Sequence, residues 1–178
     1  MITKPFSPRD IFAQPVVNSS RVFLSPQRYI QGPGVIKNCG LYLSLINAKH
    51  VGVLASKRGF SAEAANVLQS LSEAGIEYSK AEFRGECSKE EVERHTDDLM
   101  SAKPDCILAV GGGKLVDAGK CIAYRLNCQV GIIPTLASND APCSSISVLY
   151  TVDGVKDIVE YFPQNPAFVI VDTEVIVN

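Results

Sequence analysis

A chain of 178 residues, 46% hydrophobic and 20% charged, has the length and composition of one globular domain with a real core. Its formal net charge of −2 and its scattered Lys and Arg give no footprint for nucleic acid or an anionic membrane surface. No apolar run approaches the ~20 residues of a membrane span, and residues 1–20 carry no signal-type hydrophobic segment.

Residues 1–21, with Pro5, Pro8 and Pro15, read as a loosely attached lead-in to a single domain over 22–178. Arg28 to Gln31 is a short extended stretch that ends in the turn Gly32-Pro33-Gly34. Residues 35–46 have a helical pattern, with Val35, Cys39, Leu43 and Ile46 on one side. Residues 51–55 are a buried strand, and 56–59 the turn after it. Ser61 is placed to N-cap the next helix, whose Ala64, Ala65, Leu68 and Leu71 share a face, and Gly75 closes it. A second strand covers 76–83. Ser88 and Glu91 then form a Ser-x-x-Glu capping box opening a polar helix to about Ser101.

Cys106 to Val110 is a short continuous apolar run, which suits a strand buried on both faces. Gly111, Gly112 and Gly113 follow, then a helical pattern with Leu115, Val116, Ala118, Ile122 and Ala123 as its apolar side. Glycines permit positive φ and close approach, and a helix start offers unpaired N–H groups at the positive end of its dipole. A strand, glycine turn and helix in that order make a phosphate or pyrophosphate site. The alternative is a tight turn with no ligand. The spelling is not Walker A, because Leu115 follows Gly113-Lys114 and Leu108 stands where the first glycine belongs. Nor is it Gly-x-Gly-x-x-Gly, because Val116 takes the last glycine position.

A fourth strand, 129–133, ends at Pro134 and leads into a polar loop over 135–142. Residues 147–150 and 159–162 read as hairpin arms around Asp153-Gly154. The last buried strand, 167–171, has Asp172 at its carboxyl end. Strands alternating with helices give an α/β fold with a Rossmann-like, doubly wound parallel sheet. Ligands of such sheets bind beyond the carboxyl ends of the strands. Loops 56–59, 111–114 and 135–142 converge there, so a nucleotide cleft is expected.

The six cysteines include no Cys-x-x-Cys pair, so they suggest a reducing compartment, the cytoplasm, without a disulfide framework or zinc ribbon. His50 and His95, the two histidines, read as plain strand-edge or surface residues, not metal ligands.

Several blocks resemble a known family: Arg28-Tyr29-Ile30-Gln31-Gly32, Gly85-Glu86-Cys87-Ser88, Gly111-Gly112-Gly113-Lys114 with Asp117 and Lys120, residues 134–144, and Asn165-Pro166 through Asp172-Thr173. Together they resemble the iron-containing (metal-dependent) alcohol dehydrogenase family, related in fold to dehydroquinate synthase, and within it the glycerol dehydrogenases. The resemblance runs from about Val22 to the last residue, and 134–144 is its most specific block. It implies an oxidoreductase that passes hydride from a secondary alcohol of a polyol to NAD, turning glycerol into dihydroxyacetone. It implies a pyrophosphate held at Gly111, Gly112, Gly113 and Lys114, with Asp117 nearby. Thr135, Ser138, Ser144, Ile146 and Tyr150 match positions around the cofactor. Asp140 matches the carboxylate that binds the substrate hydroxyls, a task suited to a group that accepts two hydrogen bonds. The alternative for Asp140 is an Asx-turn residue before Ala141-Pro142.

Three residues depart from the family. Asn139 and Leu115 replace smaller or hydroxyl-bearing residues. Ser56 stands where an acidic residue normally holds the adenosine ribose, which leaves NADP open beside NAD. The family holds its zinc or iron with one Asp and two His in a helical C-terminal domain, and the sequence stops at Asn178 before the first of them. It is therefore expected to be the N-terminal, cofactor-binding half, lacking the metal domain and inactive alone, with apolar surface favouring a homo-oligomer. The rival expectation is a catalytically inactive nucleotide-binding or assembly module from a truncated dehydrogenase.

Overall fold

A computed structural model describes residues 5–12, 22–137 and 140–177. The described elements begin with α1 (Pro8–Phe12), β1 (Tyr29–Gly32) and a 3-10 turn (Val35–Asn38) that runs into α2 (Cys39–Ser44). Next come β2 (His50–Ser56), α3 (Lys57–Phe60), α4 (Glu63–Glu73), β3 (Glu77–Phe83) and α5 (Lys89–Met100). Then follow β4 (Cys106–Gly111), α6 (Gly113–Leu126) and β5 (Gln129–Pro134). A second 3-10 turn (Ala141–Cys143) precedes β6 (Ile146–Tyr150), β7 (Lys156–Tyr161), β8 (Phe168–Asp172) and α7 (Thr173–Val177).

Six strands form one parallel sheet in the order β1-β8-β5-β4-β2-β3. β6 and β7 pair separately as an antiparallel hairpin. The sheet has two covered faces, as its continuous apolar strands require. Val51, Val53 and Ala55 of β2 join Cys106, Leu108 and Val110 of β4 in a core with α2 and α4. Leu54, Ile107 and Ala109 point to the other face, where α5, α6 and the hairpin supply Val92, Leu99, Val116, Ile122 and Leu149. This is the doubly wound α/β architecture expected of the sequence. Each buried Leu, Ile or Val on these faces contributes about 1.5–3 kcal/mol relative to exposure.

Several local expectations change. Residues 56–59 are not a plain turn: Ser56 Oγ accepts from the Gly59 N–H at 3.0 Å and caps the single-turn helix α3. Ser61 is instead the C-cap of α3, its N–H donating to Arg58 O at 2.9 Å, and α4 starts at Glu63 behind Ala62 without a side-chain cap. Only half of the capping box forms. Ser88 Oγ accepts from Glu91 N at 3.2 Å, but Glu91 Oε1 accepts from Arg84 N at 2.8 Å instead of reaching back to the cap. The lead-in is not wholly loose, because Phe6 bridges Tyr161 of β7; residues 1–4 and 13–21 lie outside the described residues. His95 is buried, 1% exposed, against the expectation of a surface residue. His50 sits at the start of β2, its Nε2 2.8 Å from Ser79 Oγ. All six cysteines are free thiols. Burial pushes the Cys39 and Cys128 thiols up to about 12, which keeps them protonated and unreactive. Among the described residues no helix is long and apolar enough to cross a membrane.

Candidate functional site

The strand order reverses between β2 and β4: β3 follows β2 on one side, while β4, β5 and β8 extend on the other. In parallel sheets a crevice opens beyond the carboxyl ends at such a switch point. Here it is a cleft of about 400 Å³, lined by Ser56, Arg58, Gly59 and Glu63 beyond β2, Gly111 to Leu115 beyond β4, and Thr135 and Leu136 beyond β5. Thr135 N donates to Gly111 O at 3.1 Å and fixes the end of β5 to the glycine turn.

The glycines act through space, not through unusual backbone. None of Gly111, Gly112 and Gly113 is among the positive-φ residues, and Gly112 is extended at φ −83°, ψ −179°. A Cβ on Gly111 would stand 2.9 Å from Leu115 Cδ1, the end of a flexible side chain, and 3.3 Å from its Cβ, so the turn is tight but a small shift of Leu115 relieves it. A Cβ on Gly112 would meet only the tip of Leu136, at 3.2 Å, on the open side. Gly112 is the N-cap of α6 and supplies no side-chain cap. The first intrahelical bond runs from Val116 N to Gly112 O at 3.0 Å, leaving the earlier first-turn N–H groups for a ligand. The donor set thus fits an anion with two or more oxygens, such as a pyrophosphate.

Lys114 stands at the lip. Its Nζ is 2.7 Å from Glu86 Oε2 and 5.8 Å from the centre of the Tyr150 ring. The Glu86 hydrogen bond raises its pKa, so it stays a cation, one already partnered by a carboxylate.

Asp117, Ser144 and Ile146 are held in a second cluster behind the cleft, around Lys120. Lys120 is 3% exposed; its Nζ lies 2.8 Å from Asp117 Oδ1, 3.0 Å from Ala141 O and 3.4 Å from Ser144 Oγ, and it also donates to Ile146 O. Asp117 Oδ2 accepts from Val148 N at 3.0 Å. These bonds clamp loop 141–148 onto α6. None of the three lines the glycine cleft.

Asp140 is exposed at the start of the 3-10 turn, and its carboxylate makes no cap bond. The Asx-turn alternative therefore loses its support. Ser138 and Asn139 lie outside the described residues. Among the described residues no three His, Cys, Asp or Glu side chains come together to hold a metal. A separate depression of about 440 Å³ lies by Asp105, Gln129, Val130 and Asn165. It is at the amino ends of β4 and β5, opposite the end where parallel sheets present their helix N-termini.

Two contributors were not singled out from the sequence. Glu63 lines the cleft from the first turn of α4. Gly119 lets α6 lie close on β4: a Cβ there would stand 2.6 Å from Ala109 Cβ. That is the helix-packing task of a Rossmann fingerprint's last glycine, carried one turn later than Val116. A small residue on the strand-facing side of the helix was its only signal.

The profile of the family described as iron-containing alcohol dehydrogenase matches residues 26–173. The chain is 39% identical over 156 residues to a glycerol dehydrogenase of Escherichia coli O6:H1, covering 88% of this chain and 42% of that one. It superposes on a probable glycerol dehydrogenase of Sinorhizobium meliloti 1021 with a TM-score of 0.81 at 34% identity, over 88% of this chain and 42% of that one. For the glycerol dehydrogenase of Schizosaccharomyces pombe the TM-score is 0.80 at 38% identity, over 90% and 40%. The chain spans about two fifths of the length of these relatives. The profile covers the cleft-forming strands from β1 to β8 without a break, and with it the glycine turn. By that match the chain belongs to the iron-containing alcohol dehydrogenase family.

Proposed function

We propose that this chain is the cofactor-binding half of a glycerol dehydrogenase-like oxidoreductase, acting on glycerol and NAD to give dihydroxyacetone and NADH. The observation that carries the reading is the cleft at the switch point, where the uncapped start of α6 meets the ends of β2 and β5. The glycine turn and the first N–H groups of α6 hold the pyrophosphate. Thr135 and Leu136 form the wall beside it and Lys114 the lip, with the Tyr150 ring 5.8 Å behind the Lys114 Nζ. Asp140, exposed and with no cap bond from its carboxylate, orients the polyol hydroxyls. The bound dinucleotide supplies the hydride acceptor; this chain supplies position and shape. Part of the same proposal is that the 178-residue chain binds cofactor without turning over glycerol.

Gly112→Val tests the site. Its backbone angles suit any residue, and its Cβ would touch only a side-chain tip, so the fold survives. The branched side chain fills the space over the N–H groups. Calorimetry with NADH is expected to show binding to the wild type and none to Gly112→Val, with the fold retained and stability lower by about 1 kcal/mol for the poorer N-cap. Equal affinity in the two proteins would overturn the assignment. Sustained reduction of NAD by the chain with glycerol and zinc, abolished by Asp140→Asn, would contradict the expected inactivity.

A further inference from the structure

The cleft has a second end, beyond β2. In doubly wound sheets the strand beside the glycine strand ends at the adenosine ribose, where a carboxylate accepts both hydroxyls and repels a 2′-phosphate. β2 is that neighbour, paired in register with β4 from Val51↔Cys106 to Ala55↔Val110. Its last residue is Ser56, which lines the cleft with Arg58 and Gly111 to Gly113.

Ser56 carries no charge to repel an anion. Its Oγ uses a lone pair to accept from Gly59 N at 3.0 Å, which leaves the hydroxyl proton to donate. Arg58 and Lys57 are exposed and make no side-chain hydrogen bond or ion pair among the described residues. Glu63 is the acidic residue lining this cleft, and it forms no ion pair with either cation. At the cleft itself Arg58 and Glu63 balance in formal charge, but the guanidinium is unpaired and Ser56 adds a neutral donor where a carboxylate would repel an anion. A guanidinium matches phosphate oxygens in pairs, and such charge-assisted bonds are about twice as strong as neutral ones.

We infer that the adenosine end of this cleft accepts a 2′-phosphate on Ser56 and Arg58, so that the chain takes NADP(H) at least as well as NAD(H). The inference rests on the dinucleotide reading of the cleft given above.

The test compares dissociation constants for NADH and NADPH on the 178-residue chain by calorimetry. Wild type is expected to bind NADPH as tightly as NADH or tighter. Ser56→Asp keeps a capping oxygen for α3, so it folds; its preference is expected to shift toward NADH by about tenfold or more. Arg58→Ala, on an exposed side chain, is expected to lower the NADPH-to-NADH affinity ratio by about tenfold. A wild-type preference for NADH of about tenfold or more, or an unchanged ratio in Arg58→Ala, overturns the inference and leaves the dinucleotide cleft standing. Binding of neither cofactor overturns both.

Discussion

Gly119 and His95 are single residues whose surroundings decide what substitution or pH does to the fold. A Cβ on Gly119 would collide with that of Ala109, and both belong to rigid elements. Gly119→Ala is expected to lower stability by about 1–3 kcal/mol in urea unfolding, and Ala109→Gly in the same chain to recover part of it. An unchanged midpoint would contradict the packing account. His95 Nε2 lies 3.1 Å from Glu91 Oε1 and 2.9 Å from Arg94 Nη2. Burial and the Arg94 charge push its pKa down, against the pull of Glu91 and Asp98. The unfolded chain therefore takes up that proton first. Stability is full above about pH 6.5 and falls as pH drops through the lower folded value. Glu91 is pushed up by burial, but bonds from Arg94 and Arg84 N hold it below the usual range overall. Its own loss falls in a separate window, below about pH 4.3. His95→Gln is expected to flatten the urea midpoint just below about pH 6.5 while leaving the acid limb; a parallel decline in both proteins would refute this. Neither residue's role was legible from letters. A histidine in a helix of Lys, Glu, Arg and Asp reads as solvent-facing, and only the packing of α5 on the sheet buries it.

Asp172 works at the scale of elements. Its two carboxylate oxygens accept from Gly34 N at 3.0 Å, Ile36 N at 3.1 Å and Glu174 N at 3.0 Å. One side chain at the end of β8 thus fixes the turn after β1 and starts α7. Asp172→Ala is expected to cost about 2–4 kcal/mol and to speed amide exchange at Gly34 and Ile36; slow exchange there would argue that other groups hold the turn. The strands β2 and β4 were legible because burial on both faces leaves continuous apolar runs. β1 was legible only as extended chain: Tyr-Ile-Gln-Gly has one buried-side residue in two, as an edge strand does, and nothing local names its partner. α3 was illegible because four residues, Lys-Arg-Gly-Phe, are too few to show a helical period.

For the whole molecule, the site follows from topology more than from any motif. Ser56, Gly111 and Thr135 are far apart in sequence, yet the first two end parallel strands and the third follows one, and parallel strands bring their carboxyl ends to one edge. That rule made the cleft legible. The grouping of Asp117, Ser144 and Ile146 around Lys120 was not, because it depends on where the hairpin folds back over α6. The position of β1 has a consequence for how the chain is made. Among the described strands β1 pairs with β8 alone, Tyr29 opposite Val169. A ribosome releases the amino end first, so β2 to β5 find neighbours as they emerge while β1 waits on the order of ten seconds for β8. Until then the N–H groups of Gly34 and Ile36 also lack their acceptor, Asp172. The first sheet strand to be synthesised is the last to be seated, and a chaperone that shields a nascent edge has residues 29–36 as its natural client.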